Sequence, residues 1–328
     1  MDSTSGVQAD PLAPPPVRVI CGFWRRIVAV FLDSLVLGAV GMVSGLFLFD
    51  TYASMGGWGR LLGFAVALIY FGVLNSSIGK GGTFGKRVMG IEVVDKNGEH
   101  ITLLRSLARY TILGVPFFLN GASIPIGAPA VIFYLVGFVI FGLGGAIAYL
   151  YVFNTRTRQS VHDLAVGTFV VRSGGSGEIT ARPALRVHLG VIGIWLVCVL
   201  LLSVLGSFLV STNLFSDLLS VQKAVVASPD VSAANVSSGE SMTFHGGSNA
   251  KTSYFQANVS VRARPGSYEA EATEIASIVL NTYPKIDQDD SIVVNVSYGY
   301  DIGIARSSIT RNFQHSPSDW KALVRAKK

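Results

Sequence analysis

The chain has 328 residues, half of them apolar and only 14% charged, against about 25% charged in an ordinary soluble domain. Positive mean hydropathy, with charge gathered at the chain ends, between apolar runs and in the last third, describes membrane spans joined by wet loops rather than one globular core. The net charge of +6 does not point to nucleic acid, because the basic residues flank apolar runs and no aromatic-interleaved basic patch accompanies them.

Residues 1–18 include Pro14, Pro15 and Pro16. They are too proline-rich and too weakly basic for a signal peptide, and read as a disordered tail. With only two cysteines, Cys21 and Cys198, no disulfide framework is available.

A helix needs about 20 apolar residues to cross about 30 Å of hydrocarbon. Ile27–Phe49 meets this with Asp33 as its one charge, and Leu61–Ile78 meets it at the short end. Thr111–Ala130 is apolar but carries Pro116, Asn120, Pro125 and Pro129, so it reads as a kinked span or a re-entrant segment. Val131–Phe153 is glycine-rich, which permits close helix contact. Val187–Val210 is the cleanest run.

Basic residues orient these spans. Arg18, Arg25 and Arg26 hold the N-terminus in the cytoplasm, and Asp50–Gly59 has no basic residue. Lys80 to Arg109 and Arg156 to Arg186 are both basic intervals, so the chain between them crosses twice. About five crossings follow, with everything after Ser211 outside.

Three constellations carry the polar chemistry. The first is Gly22-Phe23-Trp24-Arg25-Arg26, with Asp33 seven residues on and about 10 Å deeper on one helix. A carboxylate at that depth needs a partner, and a basic residue from another segment is expected. The second runs from Gly81 to Gly98 through Gly82, Gly85, Lys86 and Arg87. It is not a phosphate loop, because Lys80 stands where the first glycine belongs and Arg87 follows Lys86. A short strand over 91–94 and an Asn97-Gly98 turn are expected instead. The third is Arg158 to Val171, a charged turn containing His162 and Asp163, then a strand expected to pair with 91–94 in a small cytoplasmic β-cap.

Together these three resemble the RDD family of membrane proteins over about Val19 to Arg172. The resemblance places the family's signature residues on Arg26, Asp33 and Asp163, with Gly82, Gly85, Lys86, Arg87 and His162 in support. Val166 separates Ala165 from Gly167, a departure from the more usual closing arrangement. For some members cation–proton antiport has been proposed, so the resemblance implies a monovalent cation or a proton as one conceivable cargo.

The C-terminal region alternates in period two over Tyr254–Arg262 and Ile292–Tyr300, with helical spacing over Ser267–Thr282 between them. A third strand is expected within Gly303–Phe313 and a last helix after Ser318. The fold class expected is a membrane all-α helical bundle with a small cytoplasmic β-cap, plus a small α+β extracytoplasmic domain. Its divisions are a membrane domain at 19–172, a cytoplasmic linker at 173–186, a single span at 187–211, a linker at 212–252, of which the Ser/Gly/Ala-rich stretch Ser228–Gly247 is expected to be loose, and the α+β domain at 253–328.

No metal is expected, since the five histidines are scattered and the acidic turn Asp287, Asp289, Asp290 lacks a calcium loop's glycine and closing glutamate. No nucleophile elbow is present, so no enzyme activity and no cofactor are expected. The Asn-x-Ser triplets at Asn235, Asn258 and Asn295 match a pattern short enough to arise by chance. Two functions compete: a scaffold or envelope-associated factor whose outer domain binds a protein partner, and a cation, proton or small-solute transporter using Asp33. The lipid bilayer is a partner in both.

Overall fold

The long apolar run at the N-terminus becomes α1 (Phe23–Met55), a 3-10 turn (Gly56–Trp58) and α2 (Gly59–Leu74). In this computed structural model, residues 18–122, 130–179, 185–211, 215–245 and 248–327 are described. The expected disordered tail lies outside them, apart from Arg18. The described residues fall into two compact units. One is drawn from 1–36, 66–115 and 143–195, the other from 37–65, 116–142 and 196–328.

Three stretches among the described residues are long and apolar enough to cross a membrane: Phe23–Leu74, Val131–Phe153 and Arg186–Gly206. The first, at 52 residues, rises about 78 Å at 1.5 Å per residue, more than twice a hydrocarbon core. It holds both of the first two expected spans, with non-helical backbone at Leu48 (φ −116°, ψ 24°) inside it. α2 stops at Leu74, short of Ile78, where Asn75 Nδ2 donates to the Phe71 carbonyl and Ser76 Oγ to that of Val73. The expected span at 111–130 is described only in part: α4 (Leu103–Leu119) has Pro116 inside it, and residues 123–129 are outside the described set. Val131–Phe153 consists of α5 (Ala130–Gly137), a π-helical turn (Phe138–Leu143) and α6 (Gly144–Phe153). α8 (Arg186–Ser211) bares Leu189, Ile194, Leu201 and Leu202 at 62–68% exposure, an apolar surface suited to lipid rather than water.

In the first unit, β1 (Ile91–Asp95) pairs antiparallel with β2 (Thr168–Arg172), Val93 opposite Val170, which is the expected β-cap. Ile91, Val93 and Val170 bury against Cys21, Ala29 and Ile101. The glycine-rich loop contains α3 (Phe84–Val88). The expected charged turn at 158–163 is instead half loop and half helix, α7 (Val161–Val166). Ser160 starts it, its N–H donating to Asp163 Oδ2 at 3.4 Å, and Gly167 ends it in the left-handed region (φ +62°).

In the second unit, α9 (Ser216–Val226), β3 (Val231–His245), β4 (Ser248–Val261), α10 (Tyr268–Thr282), β5 (Ser291–Asp301), β6 (Arg306–His315) and α11 (Pro317–Lys327) follow one another. The sheet order is β3-β4-β5-β6, with β4 and β5 parallel and joined through α10. Phe255, Ala257, Val259, Ile292, Val294 and Val296 bury one face against Val221, Val225, Ile275, Val279 and Trp320. β4, α10 and β5 stand where sequence periodicity put them, and β6 and α11 fall within two residues of the third strand and last helix that were expected. The linker expected at 212–252 is a correction: from Ser216 onward it holds α9, all of β3 and the first residues of β4. Backbone pairing with β4, from Val231↔Val261 to His245↔Ser248, orders a segment whose small polar side chains carry no strand signal. The domain therefore begins well before residue 253.

The other face of the sheet is polar. Asn235, Asn258, Asn295 and Asn312 lie opposite one another across the four strands. Asn295 Nδ2 donates to Asn258 Oδ1 at 2.8 Å and Asn312 Nδ2 to Asn295 Oδ1 at 2.7 Å. The repeated Asn-x-Ser triplets are thus a row of amides on one sheet face, because period-two strands in register stack like residues.

The β5–β6 turn is apolar, unlike most hairpin tips. Ile302 N–H bonds the Ala305 carbonyl at 3.0 Å around Gly303 (φ +79°). Ile302 is buried with Tyr52 and Tyr300, and Phe49, Met55, Leu62 and Ile304 pack on them. Glycines make the room. A Cβ on Gly41 would stand 2.6 Å from Ala305 Cβ, one on Gly45 would overlap Tyr300 Oη, and one on Gly63 the Ile302 carbonyl.

Gly63→Val forces the tip out, an overpacking cost of about 1–3 kcal/mol. Trypsin is then expected to cut after Arg306 several-fold faster in micelles, whereas Gly190→Val, with nothing within 4 Å, leaves the rate unchanged.

Candidate functional site

Asp163, at the third position of α7, is fully buried and held by two arginines from different helices. Arg26 of α1 places Nη2 at 2.7 Å from Oδ2. Arg109 of α4 brings Nε to 2.9 Å and Nη2 to 2.6 Å from Oδ1. Thr168 Oγ1 adds a bond to Oδ1 at 3.2 Å. Arg26 also donates through Nη1 to the Arg158 carbonyl and lies over the Tyr151 ring, 4.7 Å from its centroid. Burial alone would push the Asp163 carboxyl up, but the Arg109 and Arg26 guanidinium groups around it outweigh burial and hold it well below the carboxylate range. It is an anion shared by two buried cations, the strongest kind of hydrogen-bonded pair.

His162 is its neighbour, Nε2 standing 3.6 Å from Oδ2. Burial drives its pKa down to about 3, with Asp163 opposing and Arg109, Arg26 and Lys86 assisting. The imidazole is therefore neutral. Its Nδ1 is buried and has no partner among the described residues.

Asp33 forms a second cluster, also fully buried. Oδ1 accepts from Tyr70 Oη and from Gly85 N–H, each at 2.8 Å, and Oδ2 accepts from Thr83 Oγ1 at 2.6 Å. The expected basic partner is absent from these contacts; neutral donors at the start of α3 take its place, where amides have no intrahelical acceptor. Gly85 must be glycine here, because a Cβ would overlap the Ala29 carbonyl and stand 3.1 Å from Asp33 Cγ. Lys86 is turned inward, its Nζ on Asn75 Oδ1. Burial, then Arg109, lowers its pKa well below the usual lysine range. Gly82 is buried in the same loop, whereas Arg87 is exposed and its Nη2 donates to the Gly79 carbonyl at 3.1 Å.

The predicted site residues thus separate into two clusters on one helix. Arg26 ties α1 to α7, and Asp33 ties α1 to the glycine-rich loop. Sequence reading gave no partner role to Arg109, Thr168, Thr83 or Asn75 and passed over Tyr70. Arg109 left a trace, being four residues after Arg105 within one apolar helix, hence on one face. Arg105 itself caps α7, donating through Nε to the Val166 carbonyl at 2.6 Å and through Nη2 to that of Gly167 at 2.9 Å. Among the described residues, no three His, Cys, Asp or Glu side chains are grouped to hold a metal ion.

Residues 20–167 match the profile of the RDD family. Two proteins of Bacillus subtilis (strain 168) are similar to the same half of the chain. The uncharacterized protein YckC is 25% identical over 171 residues, 50% of this chain and 93% of its own length. The uncharacterized protein YxaI is 23% identical over 172 residues, 46% of this chain and 95% of its own. No solved structure matches the chain.

Asp163→Asn leaves two buried guanidinium groups without an anion, and a loss of about 3–5 kcal/mol is expected in micelle denaturation. Asp33→Asn, which replaces an acceptor of neutral donors, is expected to cost about 1–3 kcal/mol. His162 sets a pH signature. The unfolded chain takes up a proton near 6.5 and the folded imidazole only near 3. Between those values the unfolded state binds more protons, so stability falls on acidification by up to about 1.4 kcal/mol per pH unit. His162→Gln is expected to flatten that slope between pH 6 and 4.

Proposed function

We propose that this membrane protein, an RDD family region over residues 20–167 followed by an additional C-terminal domain, acts as a scaffold that offers the domain to a protein partner outside the cytoplasm. No catalytic step belongs to this role. The observation that carries it is the seating of the β5–β6 tip among Gly41, Gly45 and Gly63. It anchors the domain to the helices while leaving the polar face of the sheet uncovered. Rigid seating with a free face is what presentation of a binding surface requires.

The membrane arrangement we infer has five crossings: two within Phe23–Leu74, one at the 111–130 run of which α4 is the described part, one at Val131–Phe153 and one at α8. Asp163 and Asp33 then work as internal staples of the RDD region. Each already has several donors, and a carboxylate so held has little freedom to exchange ligands. In a bacterial inner membrane the N-terminus lies in the cytoplasm and the C-terminal domain outside, by the distribution of basic residues.

One observation favours a second reading, a cation, proton or small-solute transporter. The hydrogen-bond donors on Asp33 are all neutral, and the buried Lys86 beside it bonds Asn75 rather than the carboxylate, which leaves room for a proton or a monovalent cation.

Reporter fusions after Asn154 and after Lys328 are expected to show opposite compartments, and equal signals would overturn the topology. Photo-crosslinkers placed at Asn258 and Thr310 in whole cells are expected to trap one protein, and their failure to do so would remove the scaffold role. Proton or sodium flux in vesicles that Asp33→Asn reduces tenfold or more would favour transport, about 1.4 kcal/mol on the limiting step.

A further inference from the structure

Where the uncovered sheet face meets the turn between α1 and α2, the second unit holds a cavity of about 300 Å³. That is the lower end of the range for small-molecule sites. Its chemistry is not that of a greasy pocket. The sheet contributes Ser232, Ser260, Ser297 and Ser308, and the turn contributes Gly56 and Gly57. Two of the hydroxyls already have work: Ser232 Oγ donates to the Ser260 carbonyl and Ser297 Oγ shares a bond with Thr310. The hydroxyls of Ser260 and Ser308 have no partner among the described residues.

Three charged side chains also line the cavity: Arg60, Asp301 and Arg306. Arg60 Nη2 takes Asp301 Oδ2 at 2.6 Å, and Asp301 Oδ1 accepts the Gly303 N–H at 2.9 Å. Arg306 stands opposite Asp301 in the β-ladder, yet that carboxylate is already occupied. Among the described residues Arg306 has no anion, so the lining carries one uncompensated positive charge. The Nε–H of Arg60 is a second vacancy, buried and without a partner. A cavity with one spare cation and a buried Arg60 Nε–H favours an anionic ligand, because an anion answers both and an apolar or neutral ligand does not.

The geometry points to a binding site for a polyhydroxylated monoanion of monosaccharide size, that is, a sugar acid, with Arg306 on its carboxylate and Ser260 and Ser308 on its hydroxyls. The same sheet face continues from the Ser260–Ser297–Thr310 row to the Asn258–Asn295–Asn312 row. Amide side chains at one strand spacing, about 4.8 Å, supply further donors and acceptors beside the cavity. The sugar acid can thus come free in solution or as one residue of an acidic polysaccharide.

Isothermal titration of the full-length protein in detergent micelles tests this with glucuronate, glucose and inorganic phosphate. Saturable binding of glucuronate is expected, at least about tenfold tighter than glucose or phosphate. Arg306→Gln, on an exposed strand position, is expected to abolish the preference for glucuronate over glucose, and Ser308→Val to weaken both sugars together. No saturable heat by about 10 mM glucuronate, equal binding of glucose or phosphate, or a preference unchanged by Arg306→Gln overturns the assignment. Oligogalacturonate binding tighter than its monomer identifies a polysaccharide source, and equal binding a free solute. Calorimetry reads the cavity while photo-crosslinking reads protein capture, so either proposal can fail with the other standing.

Discussion

One carboxylate organises the first unit. Asp163 is buried with no exposed surface, and an isolated ion there would be prohibitively costly. It persists as an anion because Arg26 and Arg109 approach from opposite oxygens, one helix each. The cost of desolvating three charged groups means that the arrangement is specified rather than merely tolerated: any displacement of α1, α4 or α7 leaves a buried charge alone. The position of β2 follows, because Gly167 and Thr168 continue directly from α7, and Thr168 is itself bonded to Asp163. The β-cap, through β1, follows from β2.

Asp33 applies the same logic with weaker partners. Its donors are a phenol, a hydroxyl and a backbone amide, so it fixes where the glycine-rich loop lies against α1 without neutralising charge. Gly85 shows why the loop is rich in glycine: the backbone must come within contact of Ala29, and a side chain would stand in the way. Lys86, turned inward onto Asn75, loses the role of a surface cation that its neighbours Lys80 and Arg87 retain.

The second unit reaches its order by different means. A conventional core of Phe255, Val294, Ile275 and Trp320 holds the sheet to its helices, and a hairpin tip of Ile302, Gly303 and Ile304 fits among the glycines of α1 and α2. Hydrophobic residues at a turn are anomalous in water. Here they are covered, with Ile302 only 2% exposed. The sheet face left open is the polar one, which is why serines and Arg306, with no anion among the described residues, meet at a cavity there.

What the residues alone determine is the periodic part. Long apolar runs must be helices in lipid, since each backbone group has to be satisfied within its own segment. Alternation over 254–262 and 292–300 must be half-buried strands, and Tyr283-Pro284 must end a helix. Asp33 also stands out unaided, as the one charge in an apolar run, and the family resemblance adds Arg26 and Asp163. Their partners do not stand out. Arg109 pairs with Asp163 across 54 positions and Tyr70 with Asp33 across 37, and local pattern has no memory over such distances. β3 was hidden for the same reason: its serines and Gly239 become part of a strand only because β4 lies beside them. Periodicity reports which face of an element is buried, whereas the chosen neighbour depends on long-range packing, and that was decided in three dimensions.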